Sequence, residues 1–143
     1  MAVLAAMTLL VACGEEPAPQ AADNCDHSPT TTKSGLEYSD LECGSGPEAG
    51  RGDLLTIDYV GLLEDGTEFD SSRERGETFD VRLGAQLVIA GWEEGLMGVQ
   101  QGTLRQLVIP PDLAYGENGV PPDIPPNATL TYEIEVLEIK GDS

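Results

Sequence analysis

Leu54-Leu55-Thr56-Ile57-Asp58-Tyr59-Val60-Gly61-Leu62-Leu63 runs into Glu64-Asp65-Gly66-Thr67 and then into Phe69-Asp70-Ser71. The first run is rich in residues that suit a pleated strand. An Asp-Gly pair after such a run favours a tight hairpin turn. Working outward, residues 36–41 alternate imperfectly, and residues 79–83 form another short strand piece after a charged bulge, Arg73-Glu74-Arg75-Gly76-Glu77. Residues 103–109 and 129–139 also alternate, the latter through Leu130, Tyr132, Ile134 and Val136. The one helical candidate is residues 89–99, where Ile89, Trp92, Leu96 and Val99 fall near helical spacing. Its glycines, Gly91, Gly95 and Gly98, weaken it in isolation, so packing on the sheet must hold it. One helix on an antiparallel sheet is an α+β layer architecture.

The chain is poor in aromatics, with one Trp, four Tyr and two Phe. Several of them stand in short motifs beside Gly, Asp or Pro: Asp58-Tyr59-Val60-Gly61, Phe69-Asp70-Ser71-Ser72, Val88-Ile89-Ala90-Gly91-Trp92 and Leu113-Ala114-Tyr115-Gly116. An apolar cup with a few placed polar groups is how small-ligand pockets are built. The same aromatics also serve as the core of a small domain, and the pattern alone does not separate the two.

At 143 residues and 40% hydrophobic content, the chain is one domain with a tail. Its net charge is −19, from 26 acidic and 7 basic residues. That surface repels phosphate backbones, so nucleic-acid binding is not expected. The acidic residues are spread along the chain, which fits a solvated surface better than a docking run for a cationic partner. No zinc-type cysteine spacing occurs, and the lone His27 lies in the tail, so neither a metal nor a cofactor is expected.

Residues 1–12 are almost wholly apolar and end Leu9-Leu10-Val11-Ala12 before Cys13. This resembles a bacterial lipoprotein signal, which implies cleavage before Cys13 and a lipid on its thiol. No Lys or Arg precedes Cys13, where a signal peptide carries a basic region. The stretch is too short to span a bilayer. Residues 13–33 are polar and Pro-rich and read as a disordered linker reaching roughly 25 Å. His27 then reads as a solvated linker residue. Cys25 and Cys43 fit an exported protein, either bridged or as two unrelated thiols.

The stretch from Gly35 to Ile139 resembles an FKBP-type peptidyl-prolyl cis-trans isomerase domain. The resemblance is carried by the four aromatic motifs above and by Ile124-Pro125-Pro126-Asn127-Ala128-Thr129-Leu130. It implies an antiparallel sheet of five or six strands wrapped around one short helix, over residues 34–143. It also implies a pocket floored by Trp92 and walled by Tyr59, Phe69, Phe79, Val88, Ile89 and Tyr132. Asp70 and Tyr115 would be the polar groups near the substrate carbonyl, with the Ile89 backbone N–H facing the ligand. Arg75 would pair with Asp70 or orient Tyr59, and Leu113 and Val120 would lie on or near the flanking loop. The implied partners are proline-containing peptides, unfolded exported proteins and macrolides such as rapamycin. A monomer held at a membrane by a lipid anchor is the expected form.

The chain departs from the family at Val120, where many members carry a polar or aromatic residue, at Leu113, often aromatic, and at Tyr132, commonly Phe. These differences bear on sequence preference and macrolide affinity rather than on catalysis. Residues 112–126 are too short for the chaperone insertion of some bacterial relatives, so strong holdase activity is not expected. Plainer roles stand beside the functional ones. Asp70 can cap a turn, Tyr115 can close a loop, the Arg73–Arg75 bulge can be a solvated loop, and the Pro-Pro pairs can be rigid loop elements. A non-catalytic binding module on the same fold is the alternative to an enzyme. A salt-adapted cytosolic isomerase is the alternative to export.

Overall fold

The computed structural model describes residues 25–141. The signal segment, Cys13 and most of the linker lie outside the described residues.

Strands β1 (Thr30–Thr31), β2 (Glu37–Glu42), β4 (Leu54–Leu62), β5 (Glu68–Ser71), β6 (Phe79–Arg82), β8 (Leu104–Ile109) and β9 (Leu130–Lys140) make one antiparallel sheet. Between them come β3 (Ser45–Glu48) and β7 (Gln100–Gln101), a separate two-stranded ribbon, and the short helices α1 (Ser72–Arg75) and α2 (Ala90–Gly95). The order across the main sheet is β1-β2-β8-β9-β4, and β5 and β6 share the free edge of β4. β5 pairs its far end (Val60 with Ser71, Gly61 with Asp70) and β6 its near end (Leu54 with Arg82, Ile57 with Phe79). The strand count exceeds five or six because this edge is split and because β1 extends the sheet. Thr30 and Thr31, read as linker, pair with Tyr38 and Glu37. A Cys25–Cys43 disulfide, with Cα atoms 5.8 Å apart, ties that segment to the end of β2. Closing such a loop contributes about 3 kcal/mol in the chain-entropy model, so reduction is expected to lower the urea midpoint accordingly. His27 is not simply solvated, since its Nδ1 sits 2.6 Å from the Asp40 carbonyl.

One sheet face is dry. β4 turns Leu55, Ile57 and Tyr59 inward, β8 turns Leu107 and Ile109, and β9 turns Leu130, Tyr132, Ile134 and Val136. α2 lies on this face. It is shorter than the apolar spacing suggests: Leu96 caps it, and Val99 reaches the core from the turn that follows. The glycines of α2 have a packing role beyond weakening the helix. A Cβ on Gly91 would lie 2.5 Å from Ile109 Cγ2, and one on Gly95 would lie 2.6 Å from Leu107 Cδ2. Both neighbours are fully buried and cannot move aside. Gly91→Ala is therefore expected to destabilise by about 1–3 kcal/mol from overpacking, outweighing a helix-propensity gain of about 1 kcal/mol. A rise in the urea midpoint would overturn this account of the close approach.

The charged stretch read as a solvated loop is α1. Ser71 caps it, accepting from the Glu74 N–H, and Gly76 ends it at φ 68°. The fully buried Ser72 holds it to β4: its Oγ accepts from the Tyr59 N–H (2.8 Å) and donates to Asp58 Oδ1 (2.9 Å). Arg73 pairs with Glu135 across the sheet at 2.5 Å.

Candidate functional site

The inner ends of these elements surround an open pocket of about 390 Å³, within the range of small-ligand sites. α2 supplies Trp92 as its floor. β4 supplies Tyr59, β6 Phe79 and β9 Tyr132, and the rings meet Trp92 edge to face at centroid distances of 4.9, 6.0 and 5.0 Å. Such packing favours a fixed geometry over sliding stacks. Trp92 is 5% exposed, and its indole N–H has no partner among the described residues.

The wall over β5 is polar. Tyr59 OH donates to Asp70 Oδ2 at 2.6 Å. Arg75 reaches back from α1, donating from Nη1 to Asp70 Oδ1 and from Nη2 to Tyr59 OH (2.9 Å). One carboxylate, one phenol and one guanidinium thus fix each other at the pocket edge. α1 carries the guanidinium that completes that closure. The opposite wall is residues 86–89, followed by Tyr115 after a 3₁₀ turn at Pro111–Leu113. Ile89 is the N-cap of α2, and no described residue accepts a hydrogen bond from its N–H.

Burial, reinforced by the Asp70 carboxylate, pushes the Tyr59 hydroxyl above the ordinary phenol value. Tyr132 is pushed well above it by burial and then by the neighbouring Tyr115, Tyr59 and Asp70. Both hydroxyls therefore stay protonated as donors. The linkage has a definite sign: above about pH 10 the unfolded chain releases these protons while the folded one keeps them. Stability is thus full below that pH and is expected to fall as pH rises beyond it. Tyr132→Phe should flatten the alkaline limb in urea titrations, and an unchanged limb would contradict it.

Of the residues singled out from sequence, Tyr59, Asp70, Phe79, Val88, Ile89, Trp92, Tyr115 and Tyr132 line the pocket together. Phe69 packs edge to face on Tyr132, ring centroids 5.7 Å apart, and is joined to the pocket through that ring. Gly61 makes room for that pair, since a Cβ there would lie 2.7 Å from Phe69 Cζ. Val120 is off the pocket. Its backbone bridges to Ile124 and its side chain is exposed. Leu113 packs on the core rather than over the opening. Gln86 and Leu87 line the pocket unforeseen. Among the described residues no cluster of acidic, Cys or His side chains could hold a metal ion.

The sequence profile of the FKBP-type peptidyl-prolyl cis-trans isomerases matches residues 46–137, which span every wall of this pocket. The chain belongs to that family. Peptidyl-prolyl cis-trans isomerase FKBP2 of Mus musculus is 52% identical over 93 residues, covering 65% of this chain and 66% of that protein. FK506-binding protein 1A of Emericella nidulans is 46% identical over 106 residues, 73% of this chain and 98% of that protein. The crystal structure of FkpA from Escherichia coli superposes with a TM-score of 0.74 at 43% identity, over 82% of this chain and 54% of that one. The chain thus spans just under two thirds of the length of mouse FKBP2 and 40% of that of FkpA. No helix among the described residues is long and apolar enough to cross a membrane.

Proposed function

We propose that this FKBP domain accelerates cis-trans rotation of Xaa-Pro bonds in exported polypeptides. The observation that carries this is the aromatic cup closed on one side by the Tyr59–Asp70–Arg75 network. Rotation about the prolyl amide must break its resonance, against a barrier of about 18–20 kcal/mol, and unaided it takes tens to hundreds of seconds. No nucleophile is required. Trp92, Phe79, Val88 and Tyr132 take the prolyl ring out of water. The twisted amide has less charge separation than the planar one, so an apolar site penalises it less. The Tyr115 hydroxyl acts on the substrate carbonyl as a preorganised dipole, the Ile89 N–H donates to the bound chain, and the Asp70 carboxylate, an acceptor, sets the charge beside them. Arg75 and Tyr59 hold Asp70 in place.

The same cup would take a macrolide, in line with the name FK506-binding protein carried by one relative. The disulfide suits an oxidising compartment, and lipidation at Cys13 would tether a monomer at a membrane. The deciding experiment follows isomerisation of a short Xaa-Pro peptide by the protein, with and without rapamycin. Catalysis that rapamycin blocks supports an enzyme acting from this pocket. Rapamycin binding without turnover would reduce the protein to a binding module. Incorporation of labelled palmitate that Cys13→Ser abolishes tests the anchor.

A further inference from the structure

A second hollow of about 470 Å³ adjoins the first across the Gln86–Val88 wall. Gln86 and Val88 line both, so the two are opposite flanks of one ridge. Leu87 stands on that ridge at 82% exposure, the most exposed of the large apolar side chains among the described residues. The far flank is lined by Ala90 and Met97, with Arg51 and Glu94 offering opposite charges. Glu93 also lines it, but its carboxylate is occupied: Oε2 accepts from the Gly84 N–H at 2.6 Å and Oε1 from the Gln86 N–H at 2.9 Å. These two bonds hold Gln86 in the left-handed region at φ 57° and fix the ridge as a built feature. Arg51 offsets one of the two carboxylates lining the hollow, and Val88, Ala90 and Met97 supply its apolar contact. Met97, half-exposed there, has the unbranched, polarizable side chain that adapts to varied partners.

We infer that a substrate polypeptide continues from its prolyl residue over Leu87 and lays an apolar side chain into this second hollow against Met97. This rests on the isomerase reading above. A chain bound at the pocket advances about 3.3 Å per residue, so its flanking residues must lie against the surroundings of the pocket. Across the ridge those surroundings are concave and offer the apolar side chains of Val88, Ala90 and Met97.

The test uses the whole protein and an alanine-based peptide with one proline, in which a single Phe is walked outward from the proline on each side. At one position beyond the immediate neighbours of proline, Phe is expected to raise kcat/KM roughly three- to tenfold over Ala, through KM. Met97→Ser should abolish that gain, Met97→Leu should restore it, and the rate on a short Xaa-Pro peptide should stay unchanged in both. A gain at no outer position, or one that survives Met97→Ser, overturns the inference. Absence of turnover on the short peptide would instead remove the isomerase reading on which it stands.

Discussion

Asp70→Val is expected to cut kcat/KM for Xaa-Pro isomerisation by roughly ten- to a hundredfold, or about 1.4–2.7 kcal/mol of barrier. The carboxylate holds the Tyr59 hydroxyl and the Arg75 guanidinium at the pocket edge. Valine keeps the approximate volume and removes both contacts, leaving an unpaired cation beside the substrate. Losing a donor aimed directly at an oxyanion costs about 10²–10³ in rate; Asp70 is an acceptor that acts through the two groups it holds. Amide rotation develops less charge than acyl transfer, so a smaller loss is expected here. The Asp70 side chain is partly solvent-exposed, so the fold should survive. A rate within about twofold of the parent, with the fold intact, would assign catalysis to the apolar cup alone and leave Asp70 a turn residue.

Arg105→Ala should be the most destabilising single substitution outside the aromatic floor. Arg105 is 8% exposed, pairs with both oxygens of Asp40 (Nε at 2.6 Å, Nη2 at 3.0 Å) and donates from Nη1 to the Gly95 carbonyl at 2.9 Å. Its guanidinium also lies 4.8 Å from the Tyr38 ring centroid. One side chain thus joins β2 to β8 and satisfies a terminal carbonyl of α2, where a cation is favourable. Removing it leaves a partly buried carboxylate and a helix end without partners, at about 3–5 kcal/mol. That is a large share of the 5–15 kcal/mol typical of a domain. The urea midpoint should fall with the slope unchanged. Arg105→Lys should recover only part of the loss, because an ammonium cannot match the two-pronged geometry. A loss under about 1 kcal/mol for Arg105→Ala would mean that water replaces the guanidinium without penalty.

The long strands were legible because their burial follows their sequence: β4 and β9 alternate inward and outward almost residue by residue. The pocket aromatics were legible because few aromatics exist and their motifs carry the family's order. What sequence reading lost falls into three kinds. α1 was hidden by its charges, although Ser71 with Glu74 three residues on, and Gly76 just past the end, are the marks of a capped helix. Arg105 left one sign, an arginine at an inward position between Thr103 and Leu107, which demands buried partners. Their identity depends on strands distant in sequence. Gln86 and Leu87 left no sign, because an exposed loop has no periodicity and its place at the pocket depends on the Glu93 side chain. The placement of Phe69 against Tyr132 and of Val120 on a loop bridged to Ile124 likewise depends on partners that local sequence does not show.

The floor of the pocket is also the core of the domain. Trp92, Tyr59 and Tyr132 are each at most 6% exposed and pack on one another beneath the opening. Leu87, by contrast, sits on a connecting segment at 82% exposure. A lineage carrying this domain can therefore diversify its clientele at the rim almost free of folding penalties. Any drift at the floor risks the whole molecule. Selection on such a scaffold should leave the reaction fixed while the range of proteins served wanders.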